Sequence, residues 1–299
     1  MIYTLTLNPA IDYVLQVENL TVGKIHKTDT AEICFGGKGI NVSKILGELH
    51  IPSVALGFVA GFVGEAIENG VTSEWVTPKF TKLECGMSRI NVKLRSGCET
   101  DINCVGPEVT KTDIERLYES LNVLQNGDIL VLSGSVPKGV PTDIYGNIMA
   151  RFYSKGVKFI VDAEGEHLLN ALKYKPFLIK PNFEELCGLF GEVSDERDII
   201  DSAEKLQRMG AKNVLVSLGS DGALLLDSEA QVHRVNAVSG KAVNTVGAGD
   251  SMVAGFIAGY IESEDFEYAL KLGTASGSAT AFSVGLADRD LILQTLEKI

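Results

Sequence analysis

Ile129-Leu130-Val131-Leu132-Ser133, Val157-Lys158-Phe159-Ile160-Val161-Asp162, Phe177-Leu178-Ile179-Lys180 and Asn213-Val214-Leu215-Val216-Ser217 are short apolar runs separated by helical patterns. Each has the length and near-continuous apolar character of a strand buried on both faces of a sheet. Between and around them the periodicity predicts helices over 142–154, 166–172 and 195–209, with another opening at Asn182. This alternation predicts an α/β fold, with helices covering a mainly parallel sheet. Ligands of such sheets sit beyond the carboxyl ends of the strands. The segments that follow the runs are therefore expected at one edge: Ser133-Gly134-Ser135, Asp162, Lys180-Pro181-Asn182 and Ser217-Leu218-Gly219.

Toward the C-terminus lies Asn244-Thr245-Val246-Gly247-Ala248-Gly249-Asp250-Ser251-Met252, leading into Val253-Ala254-Gly255-Phe256. Small residues at a helix start let a ligand approach the backbone. The first N–H groups lack intrahelical partners and sit at the positive dipole end, which suits a phosphate. An Asp at that place repels phosphate, unless it removes a proton from a hydroxyl that attacks the phosphate. A glycine-rich turn capped by Asp250 is the alternative. Toward the N-terminus, Phe35-Gly36-Gly37-Lys38-Gly39-Ile40-Asn41-Val42-Ser43-Lys44 is a second glycine loop running into an apolar helix. Asn182 and Glu185 share a helix face and offer oxygens suited to Mg²⁺, but Asn-x-x-Glu is also close to a capping box. Gly219 to Gly222 reads as a hairpin turn between 214–216 and 223–226. Two regions break the βα rhythm. Residues 13–17 with 28–35, and 88–94 with 99–104, read as antiparallel strand pairs, simplest as a separate small sheet over the edge of the main one.

These segments, in this order and spanning nearly the whole chain, resemble the motifs of the PfkB (ribokinase-like) carbohydrate kinase family. Asn8-Pro9-Ala10-Ile11-Asp12 resembles its N-terminal sugar-binding turn. Lys180-Pro181-Asn182-Phe183-Glu184-Glu185 resembles its magnesium motif, and Ser217-Leu218-Gly219-Ser220-Asp221-Gly222 its nucleotide-binding strand-turn. The resemblance implies a ribokinase-like three-layer α/β/α unit over residues 1–299. A small β-sheet lid from about 13–35 and 87–104 would cover the sugar site and often joins two subunits into a homodimer. It implies ATP and Mg²⁺ as cofactors. Asp250 is then the base, with the N–H groups of Gly247, Ala248, Gly249 and Asp250 as the anion hole. Glu185 and Asn182 would serve the metal. Ser217, Gly219, Asp221, Gly222, Gly249 and Asn182 would line the nucleotide cleft. The substrate side would carry Asp12, Gly37, Lys38, Asn41 and Arg89, with Lys24 as a weaker third cation. A sugar without phosphate would not need these cations.

Arg89-Ile90-Asn91-Val92-Lys93-Leu94 followed by Thr100-Asp101-Ile102-Asn103 resembles the branch of this family that phosphorylates the 6-hydroxyl of fructose 1-phosphate. Kinases of tagatose 6-phosphate and of fructose 6-phosphate share the same scaffold. Two departures stand out. Asn244 occupies a position where ribokinases carry an Asp near a monovalent cation, so a strict potassium requirement is not implied. Gly61-Phe62-Val63-Gly64-Glu65 lacks the Asp common in relatives.

Composition narrows the classes further. The 299 residues suffice for a large core, and the net charge of −12 argues against a nucleic-acid binder. An anionic substrate is still allowed, through a local basic pocket. The five cysteines (Cys34, Cys85, Cys98, Cys104, Cys187) form no Cys-x-x-Cys, which suits a reduced cytoplasmic protein with scattered buried thiols. His26, His50, His167 and His233 lack zinc-ligand spacing and read as surface or packing residues. No signal peptide or membrane span is read from the sequence. The Gly-Ala-Gly-Asp segment lacks the third glycine of a dinucleotide fingerprint, and no P-loop is present. A catalytically silent sugar-phosphate sensor on the same fold is disfavoured by Asp250, Asn182 and Glu185.

Overall fold

The computed structural model describes residues 1–97 and 99–299; Cys98 lies outside the described residues. The expected strands form one large sheet. Its order from one edge is Val232–Val235, Ala223–Leu226, Asn213–Ser217, Leu178–Ile179, Lys158–Asp162, Ile129–Ser133, Ile2–Thr6, Ser53–Ala60 and Val76–Pro78. Thr81–Leu83 pairs farther along Ser53–Ala60. All neighbours from Asn213–Ser217 to Val76–Pro78 are parallel, while the two strands at the 223–235 edge run antiparallel. Alternation assigns the side chains to two layers. Leu130 and Leu132 enter one apolar layer with Leu5, Leu56 and the helix residues Tyr145 and Phe152. Ile129 and Val131 enter the other, with Ile2, Ile45, Val253 and Leu270.

The helices begin and end for local reasons. Asp195 caps Glu196–Met209 by accepting the N–H groups of Arg197 and Asp198. The helix expected over 142–154 is α-helical over Ile144–Phe152 and closes in a tighter turn, Tyr153–Lys155, before Gly156. Ala248–Ser263 packs closely on Phe266–Ala281. Gly255 and Gly259 make this possible, since a Cβ at Gly255 would lie 2.4 Å from Ser276 Oγ and one at Gly259 2.8 Å from Ala269. Ser251 Oγ bonds both the Gly247 carbonyl and Thr280 Oγ1, each at 2.8 Å, which anchors the start of the first of these helices.

The small sheet has the order Ala31–Gly36, Ala10–Gln16, Arg89–Arg95, Glu99–Ile102. Its outer pairs are antiparallel, as expected, and a parallel pairing of Ala10–Gln16 with Arg89–Arg95 joins them. The first strand starts at Ala10, so Asp12 sits on a strand rather than in the expected turn. The alternation divides this sheet as well. Ile11, Phe35 and Ile90 pack on the body against a cluster that contains Ile40, Val59, Val63 and Ile67. Asp12, Asn91 and Arg89 lie on the opposite face, because they pair side by side or alternate along the strand.

The expectation of buried thiols fails. Cys34, Cys85 and Cys104 are exposed and Cys187 is half-buried. The reason is topological: none of these residues lies on a central strand. Among the described residues no helix is long and apolar enough to cross a membrane.

Candidate active site

Asp162, Lys180 and Ser217 stand at or just after the ends of neighbouring parallel strands, so their side chains gather at the carboxyl edge. They help line a cavity of about 700 Å³ that also contains Asp12, Gly37, Lys38, Asn41, Arg89, Gly247 and Asp250. Gly37 begins the Lys38–Glu48 helix at φ 130°, and a Cβ there would lie 2.5 Å from Thr6 Cγ2. Gly247 begins the Ala248–Ser263 helix at φ 82°, a left-handed conformation suited to glycine. The two glycine loops, roughly 210 residues apart, thus face one space.

Asp250 is 6% exposed in the first turn of its helix and accepts a 2.7 Å hydrogen bond from Asn41 Nδ2. Burial, aided by the nearby charge of Asp162, pushes its pKa up to about 6; the Asn41 bond, Lys38 and Lys180 pull the other way. Asp162 is 2% exposed, and its Oδ1 lies 3.4 Å from both Lys38 Nζ and Lys180 Nζ. Its Oδ2 is buried with no hydrogen-bond partner among the described residues. Burial alone would depress the Lys38 ammonium. Asp162, Asp250, Glu164 and Glu185 outweigh it and hold the pKa above the ordinary lysine value. Lys180 is 6% exposed, and its Nζ would be 3.2 Å from a Cβ on Gly249. Two ammonium groups therefore stand beside the carboxylate and the start of the helix. Of the four N–H groups expected to form an anion hole, that of Ala248 turns back to the Thr245 carbonyl at 3.2 Å. The turn geometry that places Gly247 in the left-handed region closes this bond.

A second cavity, about 960 Å³, adjoins the first and shares Asn182, Ser217 and Gly249 with it. Gly219, Asp221 and Gly222 line it, in a short helical turn between two antiparallel strands, as the hairpin reading expected. Asn182 and Glu185 form the complete capping box: Asn182 Oδ1 accepts the Glu185 N–H at 2.7 Å, and Glu185 Oε2 accepts the Asn182 N–H at 2.9 Å. Burial raises the Glu185 pKa against this bond and against Lys180. Among the described residues no group of three carboxylate, His or Cys side chains is arranged to hold a metal unaided. A Mg²⁺ that keeps water and phosphate ligands needs only one or two carboxylates. The buried unpartnered oxygen of Asp162 and the nearby carboxylate of Glu185 fit that demand.

The small sheet forms the roof. Asn91 Nδ2 donates to Asp12 Oδ1 at 2.7 Å, which fixes that carboxylate. Arg89 Nε donates to the Asn8 carbonyl at 3.1 Å. Burial lowers the Arg89 pKa, opposed by Asp12 and Cys104. Lys24 stands apart. It lies in the exposed connection between Ala10–Gln16 and Ala31–Gly36, outside the lining of both cavities. Asn244 uses both ends of its amide within the loops, accepting from Val246 N at 3.0 Å and donating to the Val284 carbonyl at 2.8 Å.

Asp162 and Lys180, expected at the ligand edge but given no role there, line the cavity, and the fold adds Asn91 and His167, for which no place in the site was expected. For the first two a signal was present: each is a charge closing an otherwise apolar run that precedes a predicted helix. Asn91 and His167 carry no such mark. One lies in an alternating strand and the other in an ordinary amphipathic helix.

A family model described as pfkB family carbohydrate kinase matches residues 4–291. The chain is 44% identical over its full length to a 1-phosphofructokinase of Bacillus subtilis, covering 98% of that protein. It is 37% identical to a D-tagatose-1-phosphate kinase of Bacillus licheniformis, covering 100% of the chain and 98% of that protein. Phosphofructokinase-2 of Escherichia coli, solved in complex with substrates and products, superposes with a TM-score of 0.93 at 29% identity, covering 99% of this chain and 98% of that one. With the two glycine loops converging on one buried aspartate, these similarities make the assignment: the chain belongs to the pfkB family of carbohydrate kinases.

Proposed function

We propose that this protein transfers the γ-phosphate of ATP to the 6-hydroxyl of fructose 1-phosphate, giving fructose 1,6-bisphosphate. The observation that carries the chemistry is the place of Asp250. It lies one residue from Gly249, where the two cavities meet, buried beside two ammonium groups. A pKa of about 6 leaves it ionised at neutral pH yet basic enough to take a hydroxyl proton. Asn41 aims the carboxylate. As the hydroxyl attacks, Lys180 and the N–H groups of Gly249 and Asp250 face the charge on the transferring phosphoryl group. Lys38 and Arg89 serve the anionic sugar, with Asp12 positioned for its hydroxyls. ATP occupies the cavity lined by Gly219, Asp221 and Gly222. Mg²⁺ neutralises phosphate charge when bound, and Glu185 with Asn182, together with the free Asp162 oxygen, would hold it, directly or through water. The 44% identical relative supports fructose 1-phosphate as the acceptor; the 37% identical relative supports tagatose 1-phosphate as a second reading. An ADP-release assay with fructose 1-phosphate, fructose 6-phosphate, tagatose 6-phosphate and tagatose 1-phosphate separates them. A higher kcat/KM for any of the last three would displace the first.

Glu185→Gln is expected to raise the Mg²⁺ concentration for half-maximal rate, because an amide holds a hard cation less well than a carboxylate. A magnesium titration of both proteins checks this. An unchanged midpoint would leave Glu185 as a helix cap alone.

The kinase unit is proposed to act as a homodimer joined through the small sheet. Ile33, Tyr13, Val92 and Ile102 align across all four strands, forming an apolar row on the face turned away from Asp12. Ile33 is 59% exposed and Ile102 53%, and the adjoining loop carries Val22 and Ile25 at 97% and 95%. Such a patch supports an interface here. Ile33→Glu combined with Ile25→Glu is expected to halve the mass measured by light scattering; an unchanged mass would move the interface elsewhere. A cytoplasmic location, where ATP is available and thiols stay reduced, suits this chemistry.

A further inference from the structure

We infer that His167 is a further substrate-binding residue, holding the phosphate group of the phosphosugar through Nε2; this rests on the phosphosugar-kinase reading above. His167 lies in the first turn of the Gly165–Leu172 helix and lines the cavity that holds Asp250, Lys38 and Arg89. Its Nδ1 is 2.7 Å from the Thr142 carbonyl. A carbonyl oxygen only accepts, so Nδ1 carries the hydrogen, and Nε2 is the polar atom left for a ligand. The ring is held a second way, edge-on to Tyr145 with centroids 6.2 Å apart. Tyr145 is fully buried and donates its hydroxyl to the Gly134 carbonyl at 2.9 Å. Gly134 and Ser135 line the same cavity, so ring, tyrosine and loop form one rigid corner of it. Fixing an imidazole this way lowers the entropy lost when it binds.

Charge selects the ligand. Lys180 is already engaged by Asp162, and Lys38 by Asp162 and Glu164 at 3.4 and 3.6 Å. Arg89 approaches from the roof on the far strand pair. An anionic phosphate facing Arg89 and a Lys38 already shared with two carboxylates stays under-neutralised. A singly protonated phosphate brings the proton itself: shared between its oxygen and the Nε2 of His167, it makes that pairing charge-assisted. Ser135 adds a neutral hydroxyl at the same corner.

The test uses His167→Ala, His167→Asn and His167→Gln in the full chain, with melting temperatures to establish folding. Asparagine keeps a donor near the Nδ1 position and lacks the Nε2 one; glutamine offers an amide near Nε2. For the alanine and asparagine variants the KM for the phosphosugar should rise about 10- to 100-fold, with kcat and the KM for ATP little changed. Glutamine should recover part of the loss. Inorganic phosphate, competing against the sugar, should inhibit the alanine variant more weakly than the natural protein. An unchanged sugar KM in folded His167→Ala overturns the inference. So does a natural KM in His167→Asn, or an equal change in both KM values and kcat, since each would leave the ring a scaffold for Gly134 and Ser135. If the natural protein prefers another phosphosugar, the proposed acceptor fails while the same comparison on that sugar still decides His167.

Discussion

Replacing Asp250 by asparagine is expected to lower turnover at least about 10²-fold while the fold and most substrate binding survive. The carboxylate is buried, bonded to Asn41 at 2.7 Å and flanked by Lys38 and Lys180, so an amide of the same shape fits the pocket but accepts no proton. The same change should make the protein more stable at alkaline pH. The folded pKa of Asp250, about 6, lies above its ordinary value of 3.8. A carboxyl shifted in this direction favours folding while protonated, and that stability is lost as pH rises through the folded value. Above about pH 7 the natural protein therefore carries a burial penalty of order 3 kcal/mol that the asparagine variant lacks. Below about pH 4 the two should converge. Chemical denaturation at pH 4.5 and 8 reads the difference, and kcat of the natural protein should fall as pH drops below about 6. Near-normal turnover in a folded variant would remove Asp250 from the role of base. A stability gap independent of pH would mean that the shift is not realised.

Replacing Arg89 by alanine should weaken binding of the phosphosugar far more than binding of ATP. The Asn8 carbonyl fixes Nε, which leaves the terminal nitrogens for an anion, and the partial burial that lowers the guanidinium pKa also strengthens its pairing with phosphate. Loss of a buried partner of a phosphate commonly costs about 2–5 kcal/mol, roughly 30-fold or more in KM. Two saturation curves, one varying fructose 1-phosphate and one varying ATP, separate the outcomes. A rise confined to the sugar supports the assignment. Equal rises would make Arg89 a support of the small sheet as a whole, and an unaffected sugar curve would shift the phosphate toward Lys38.

The amino-acid sequence by itself determined the layers. Runs such as Ile129–Ser133 and Asn213–Ser217 are apolar at every central position, so they have only the middle of a parallel sheet to occupy, and the helices between them follow. It also marked the glycine loops at Gly36-Gly37 and Gly247-Ala248-Gly249, where positive φ and close packing at Gly37 and Gly247 exclude larger residues. Strand periodicity of two placed Arg89 and Asn91 on one face and Ile90 and Val92 on the other. What periodicity does not encode is which distant residues meet. The Lys38–Asp162–Lys180 cluster is drawn from three elements, and its geometry depends on strand order. That order is decided by how the helices pack across the whole sheet. Asp12 moved from an expected turn onto a strand because its parallel pairing with Arg89–Arg95 is a non-local contact. His167 entered the site because Thr142 and Tyr145, on the preceding connection and helix, hold its ring. Asn182 and Glu185 keep their capping box in the fold, and spacing alone could not separate cap from ligand, because both roles ask for the same residues three apart at a helix start. The local rules set which residues can bind an anion or give up a proton; only the tertiary packing set which of them stand within reach of one another.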